Sequence, residues 1–310
     1  MKIVSITGSL KNEEKNIKII YDKVVNLFST KLINYDFEII FIDNASSDKS
    51  VKVIKEICKK DKRVKLIENL KDYGQDKSPY YALLNSSGDY VVPIVTDLQD
   101  PIEFIEDLVK KIEIDDIDMV LAIPRHTKKG YSFFKKIYYK IMDKISDIDH
   151  VENYHGFGIY KKSIINVLRK ENDNNPYFRS IFTKINFTRS SLEYDSAERV
   201  NNVSKNNIFS LLDIGIKGVS LSSDKIFRII IGAGMIGATI SFLIGCYYFY
   251  IKITNWYNLQ LGLAPLIIGF FFLASVLLVL IGFSFTHLAN KIDRNSSMPL
   301  VVEKDRTNFD

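Results

Sequence analysis

Two long uncharged runs near the C-terminal end constrain this chain more than any other feature. Ile229 to Ile251 lies between Arg228 and Lys252 without a charged side chain, and a second apolar run, Leu259 to Phe285, ends before His287, Lys291 and Arg294. A helix rises about 1.5 Å per residue, so roughly 20 residues cross a hydrocarbon layer and each run is long enough. Transmembrane helices are therefore predicted over 226–251 and 259–286. They would be joined by the polar Thr254-Asn255-Trp256-Tyr257-Asn258, whose Trp and Tyr suit a membrane interface. Lys217, Lys225 and Arg228 precede the first run, and Lys291, Arg294, Lys304 and Arg306 follow the second. The positive-inside tendency then predicts a multi-pass protein of the cell inner or cytoplasmic membrane, with the N-terminal domain and both termini cytoplasmic and the hairpin outside. The other reading is a buried helical hairpin, although these runs exceed the usual buried length.

Residues 207–225, with Ile208, Phe209, Leu211, Leu212, Ile214, Ile216 and Val219, read either as an amphipathic juxtamembrane segment or as packing against the preceding domain. Gly232, Gly234 and Gly237 would permit close helix contact, which leaves a homo-oligomer open. The 42 Lys and Arg against 37 Asp and Glu give a net charge of +5, evenly spread, and no nucleic-acid partner is expected. Cys58 and Cys246 form no disulfide framework or metal-ligand spacing. Met1-Lys2 leads straight into Ile3-Val4-Ser5-Ile6, so no secretory leader is expected.

The first 206 residues alternate apolar strands with helical patterns. Lys2 to Thr7, Phe37 to Ile42, Val64 to Ile67, Tyr90 to Val95 and Met119 to Ile123 read as strands, while Ile17, Ile20, Val24 and Leu27 recur at helical spacing. This cadence predicts an α/β domain over 1–206 with a mainly parallel central sheet and crossover helices, and a tail over 287–310. Ligands of open α/β sheets bind beyond the strand carboxyl ends, so Asp43 and Asp97 should face one crevice. Asp43 could accept hydrogen bonds from a nucleobase or ribose, or serve an Asx turn or helix cap. Asp97 could ligate Mg²⁺ or Mn²⁺ against donor phosphates, since hard oxygen ligands suit those ions. Asp100, just before Pro101, is equally explained as a helix cap.

These residues resemble glycosyltransferase family 2, in its membrane-bound branch of dolichyl-phosphate mannose synthases and bactoprenol glucosyltransferases. The resemblance is carried by Asn12-Glu13-Glu14 with Asn16-Ile17, by Phe37 to Asp48 with Asp43-Asn44-Ala45-Ser46-Ser47-Asp48, by Gly74, Ala82 and Gly88-Asp89, and most specifically by Asp97-Leu98-Gln99-Asp100-Pro101 with Glu103. It implies a GT-A type fold and an inverting transfer from a UDP-sugar or GDP-sugar donor to a polyisoprenyl phosphate or other lipid acceptor. Donor contacts would come from Glu13, Asp43, Asn44, Asp97, Gln99 and Arg125. His155-Gly156-Phe157-Gly158-Ile159-Tyr160 is similar to the acceptor-side motif, and Pro176-Tyr177-Phe178-Arg179 to the region after it. Arg199 to Lys205 resembles a basic loop whose Arg199 and Lys205 would meet phosphates. The catalytic set so implied is Asp97, His155, Arg199 and Lys205, with Asp97 as the metal ligand.

Five positions depart from the family pattern. Val95 replaces the first of two acidic residues in the metal motif, so one carboxylate remains and a weaker metal site is expected. Gly156 stands where the family often carries the Asp that takes a proton from the acceptor, with His155 adjacent. Gly8 and Lys11 stand near the usual first-strand Pro and Tyr, and Asn202 occupies a loop position that is often Gly. A phosphate monoester, with its second pKa at about 6, is largely ionised at neutral pH and makes a strong base less necessary.

Overall fold

The computed structural model describes residues 1–125, 151, 154–171, 173–178, 181–182, 187–196 and 299–309, with scattered positions between 236 and 288. Its centre is the most apolar strand of the sequence, β2 (Tyr35–Asp43), in which Ile39, Ile40, Phe41 and Ile42 are all fully buried. A strand covered on both faces has no polar alternation to show, which is why this run is continuously hydrophobic. Each such side chain taken out of water contributes about 1.5–3 kcal/mol before the entropy cost of ordering it.

On one side of β2 lie β1 (Lys2–Leu10) and β4 (Tyr90–Val95), and on the other β3 (Val64–Asn69), all parallel. Parallel neighbours need crossover connections, here α1 (Glu14–Thr30), α2 (Ser50–Lys60) and α3 (Gly74–Leu84). The periodic Ile17, Ile20, Val24 and Leu27 of α1 are buried as their spacing requires. A short turn, Ile102–Phe104, leads into α4 (Ile105–Asp115) and then β5 (Met119–Pro124). Next come β6 (Gly158–Lys161), α5 (Lys162–Glu171), β7 (Arg189–Tyr194) and β8 (Glu303–Thr307).

The sheet has eight strands in the order β7-β5-β6-β4-β1-β2-β3-β8. It is mixed, which corrects the mainly parallel expectation. β6 runs antiparallel between β4 and β5, and β8 runs antiparallel along β3. The reversal of β6 matters for chemistry, because its amino end lies at the edge where the parallel strands have their carboxyl ends. The charged Glu303-Lys304-Asp305-Arg306-Thr307 carries no apolar signal and reads from sequence as tail. It covers the β3 edge nonetheless, and a charged outermost strand is how sheets discourage further pairing. Asn308 secures it by donating to the carbonyls of Cys58 and Val64, both at 2.8 Å.

The chain divides into two compact units, Met1–Tyr139 with Asp149–Asn207 and Asp293–Asp310, and Lys140–Ile148 with Ile208–Ile292. Among the described residues no helix is long and apolar enough to cross a membrane. The segments 207–225, 226–251 and 259–286 lie largely outside the described residues, and the described Leu266, Phe270, Leu273 and Phe285 are exposed. The expectation of two transmembrane helices, and with it the multi-pass membrane placement, is corrected on that finding.

Candidate active site

The loops after β1 and β2 are knitted together by side chains the sequence motifs contain. Asn12 donates its backbone N–H to Ser46 Oγ at 2.9 Å, and its Oδ1 accepts from the Ser47 N–H at 2.8 Å. Glu13 donates its N–H to Ser50 Oγ at 3.0 Å, and Glu14 accepts from the Lys49 N–H at 3.0 Å. Glu13 Oε2 itself accepts from the Asn16 amide at 2.6 Å. Asn12 and Ala45 are held at φ 60 and 54, and Leu98 after β4 at φ 65. Left-handed backbone at non-glycine residues is uncommon and concentrates where surrounding bonds over-determine a loop. Here all three fall at the carboxyl edge of the sheet.

Asp43 is buried at the tip of β2. Its Oδ2 accepts from the Ser46 N–H at 3.0 Å, while Oδ1 is buried with no partner. One oxygen thus makes the Asx turn, while the other is a buried acceptor whose lack of a bond costs about 1–3 kcal/mol. Asn44 is committed to the scaffold. Its Oδ1 accepts from Asn69 Nδ2 at 2.8 Å and from the Ser78 hydroxyl, and its Nδ2 donates to Ser9 Oγ at 3.1 Å. It ties β1, β2, β3 and α3 together.

Asp97 is half-buried at the tip of β4 and its Oδ1 accepts from the Gln99 N–H at 3.2 Å. Asp100 does not cap a helix. Its carboxylate is 1% exposed, with Oδ2 accepting from the Val95 N–H at 3.0 Å, and Oδ1 facing His155 Nε2 at 2.9 Å and the Tyr194 hydroxyl at 2.8 Å. Burial first, and then the neighbouring Asp100 carboxylate, push the Tyr194 phenol far up, so it keeps its proton and donates. His155 is therefore brought to the Asp97 loop, and 26% of its side chain is exposed.

Gly156 has φ 115, and a Cβ there would meet the Phe178 ring at 2.5 Å. Any L side chain there would be strained and would have to displace the ring, so an Asp at this place is disfavoured. The ring is anchored through the Phe178 N–H, which donates to Asp76 Oδ1 at 3.1 Å. By contrast, Gly88-Asp89 sits at the opposite edge, where Asp89 accepts from the Ile3 N–H at 2.9 Å and a Cβ on Gly88 would meet Ile3 O at 2.7 Å. That part of the motif is structural.

Arg125 is 58% exposed and faces Glu193 at 3.4 Å and Asp195 at 3.6 Å, beside an open groove of about 440 Å³ that Tyr194, Phe104 and Lys31 also line. Its guanidinium is shared with two acids. Arg179, Arg199 and Lys205 lie outside the described residues. Tyr194 carries no sequence signal. Asp100 is visible as a motif member, but not as the partner of His155.

Among the described residues no group of three or more His, Cys, Asp or Glu is placed to hold a metal ion. The expectation of a metal-binding protein, which rested on Asp97 as the single ligand, therefore finds no ligand cluster among the described residues. Asp97 fits only a cation whose other ligands are phosphate and water, as Mg²⁺ sites on substrate phosphates use one or two carboxylates.

Residues 6–169, more than half the chain, match the model of glycosyl transferase family 2. The bactoprenol glucosyl transferase of Shigella phage SfV is 30% identical over 282 residues, covering 90% of this chain and 91% of that protein. The crystal structure of mannosyl-3-phosphoglycerate synthase from Rubrobacter xylanophilus superposes with a TM-score of 0.50 at 12% identity, over 76% of this chain and 75% of that one. The Pyrobaculum calidifontis mannosyltransferase, solved with GDP-Man and Mn²⁺, covers 93% of this chain and 87% of its own at 13% identity, with a TM-score of 0.46.

Proposed function

We propose, from the premise that this chain belongs to glycosyl transferase family 2 and is a nucleotide-sugar glycosyltransferase, that its acceptor is a polyisoprenyl phosphate and that transfer proceeds with inversion. The acceptor is suggested by the phage relative, named a bactoprenol glucosyl transferase. The observation that carries the reading is the half-exposed Asp97 on the same sheet edge as the unpartnered Asp43 Oδ1 and His155.

In this reading Asp43 Oδ1 accepts from the nucleoside of the donor, and Asp97 faces its diphosphate. Mg²⁺ or Mn²⁺ arriving with the donor and held by Asp97 supplies neutralisation of the leaving charge. Glu13 and Gln99 act through the loops they brace, while Arg199 and Lys205 are proposed phosphate contacts. His155 takes whatever proton the acceptor oxygen still carries. Gly156 offers no carboxylate to the acceptor in this reading, and a phosphate monoester tolerates that, because its second proton leaves at a pKa of about 6.

The test is transfer by the purified full-length protein from labelled UDP-glucose or GDP-mannose to undecaprenyl phosphate, with Mg²⁺, Mn²⁺ or EDTA. A lipid-extractable, acid-labile labelled product is expected. Transfer to glycan hydroxyls, with none to the lipid phosphate, would overturn the acceptor assignment.

A further inference from the structure

Asp100 has no part in the transfer reading above, on which the proposal below rests, yet it is more deeply buried than Asp97 and both its oxygens are engaged. Its two Oδ1 partners come from distant segments: His155 from the turn ahead of β6, and Tyr194 from the end of β7. Tyr194 is wedged against Phe104 and Phe157, with ring centroids 5.4 and 5.3 Å away, so its hydroxyl cannot swing off the carboxylate without disturbing that packing. Because Tyr194 donates to Oδ1 and the Val95 N–H donates to Oδ2, the carboxylate is presented to the ring nitrogen as an acceptor. His155 Nε2 then carries the proton and Nδ1 is the nitrogen left for a ligand.

We propose that Asp100 is a positioning residue for His155: a Tyr194–Asp100–His155 relay fixes the imidazole with Nε2–H inward and Nδ1 toward the acceptor, supplying the proton acceptor that Gly156 cannot. The acceptor oxygen attacks the anomeric carbon and its proton passes to Nδ1. The bond from that carbon to the diphosphate oxygen breaks, and its electron pair leaves on the diphosphate. Asp100 touches neither donor nor acceptor. It holds the ring and, through Oδ2, closes the turn that carries Asp97, so the two sides of the crevice share one anchor.

A double-mutant cycle tests this on the full chain with labelled UDP-glucose or GDP-mannose and undecaprenyl phosphate. H155Q is expected to lower kcat by about 10- to 100-fold below about pH 6, where the acceptor phosphate keeps its second proton, and by much less at neutral pH. D100N should lower kcat to a similar extent with little change in the KM for the sugar donor, and D100N/H155Q should be no worse than H155Q alone. Y194F, which keeps the packed ring and removes only the hydroxyl, should lower kcat by about 3- to 10-fold while the protein still folds with a modestly lowered melting temperature, and covers the case that D100N does not fold. Losses that multiply in the double variant, or a D100N effect confined to donor KM, would overturn the relay while transfer by the native protein left the functional reading standing. Native protein that transfers nothing overturns both. Independently of turnover, the ¹⁵N spectrum of His155 should show the Nε2–H tautomer in the native protein and its loss or mixing in D100N or Y194F. An Nδ1–H tautomer in the native protein overturns the proposal.

Discussion

The loops after β1 and β2 join residues about 35 positions apart, as in Asn12 with Ser47 and Glu13 with Ser50, through backbone N–H groups that donate to side-chain oxygens. The loop after β4, the turn ahead of β6 and the end of β7 join Asp100 to His155 across 55 positions and to Tyr194 across 94, through one buried carboxylate. The first region distributes its constraint over many bonds, each worth about 0.5–1.5 kcal/mol, and the loss of one is shared. The second concentrates it, so single changes there should be sharper in effect. Motifs written in short stretches describe the first kind of region well and the second poorly.

The largest expected effect lies at the one carboxylate no other group can replace. Asp97→Asn should reduce kcat/KM by at least about 10³-fold with an unchanged melting temperature, in line with removal of a single charge-stabilising group. Retained turnover would show that the crevice does not use the β4 tip. On the acceptor side, Gly156→Asp should not restore a base. It should cost about 2–4 kcal/mol in urea unfolding, from the left-handed backbone and the Phe178 clash together, and should lower turnover. A folded, faster Gly156→Asp would break the contrast between the two regions.

Asn44→Ala tests the distributed side. It removes the shared partner of Asn69, Ser78 and Ser9 and should cost about 1–3 kcal/mol, with a several-fold rise in the KM for the sugar donor and little change in kcat. A collapse of kcat would mean that Asn44 meets the reacting groups. Acid stability probes the opposite edge as a control. Burial tends to raise the Glu38 pKa, but the Lys65 ion pair at 2.7 Å and hydrogen bonds from Ser5 and Ser87 outweigh it, so its pKa is lowered. A depressed carboxyl pKa stabilises above the unfolded value of about 4.3 and loses that stability as pH falls through the folded value. Glu38→Gln should therefore flatten the fall in stability below about pH 5, measured by urea midpoints from pH 3 to 7, without altering turnover at neutral pH. The smallest effect belongs to Lys11→Ala. Its ion pair with Asp72 at 2.8 Å is half exposed, and such pairs are worth about 0–1 kcal/mol.

Much of the carboxyl edge of the sheet is legible in the residues alone. The strand–helix cadence locates β1 to β5, and the crevice at their carboxyl ends follows from parallel topology. The Asx turns at Asp43 and Asp97 are what those residue types form in such turns. The mixed sheet is not legible, because β6 is only four residues long and its direction depends on the course of the chain ahead of it. Nor is β8, whose residues have no apolar alternation. Its place depends on an open β3 edge and on Asn308 finding two carbonyls.

The order of residues is enough to specify the family, the α/β core and the presence of carboxylates at two strand tips of the core, because burial and turn chemistry are read from residues close together in the chain. Three-dimensional packing is what makes Asp100 serve His155 rather than a helix end, sets the Phe178 ring where a side chain on Gly156 would stand, and brings the terminal residues in to complete the sheet. Each of these depends on which distant side chain fills the space beside the residue. Close packing settles that question, and no local pattern of types encodes it.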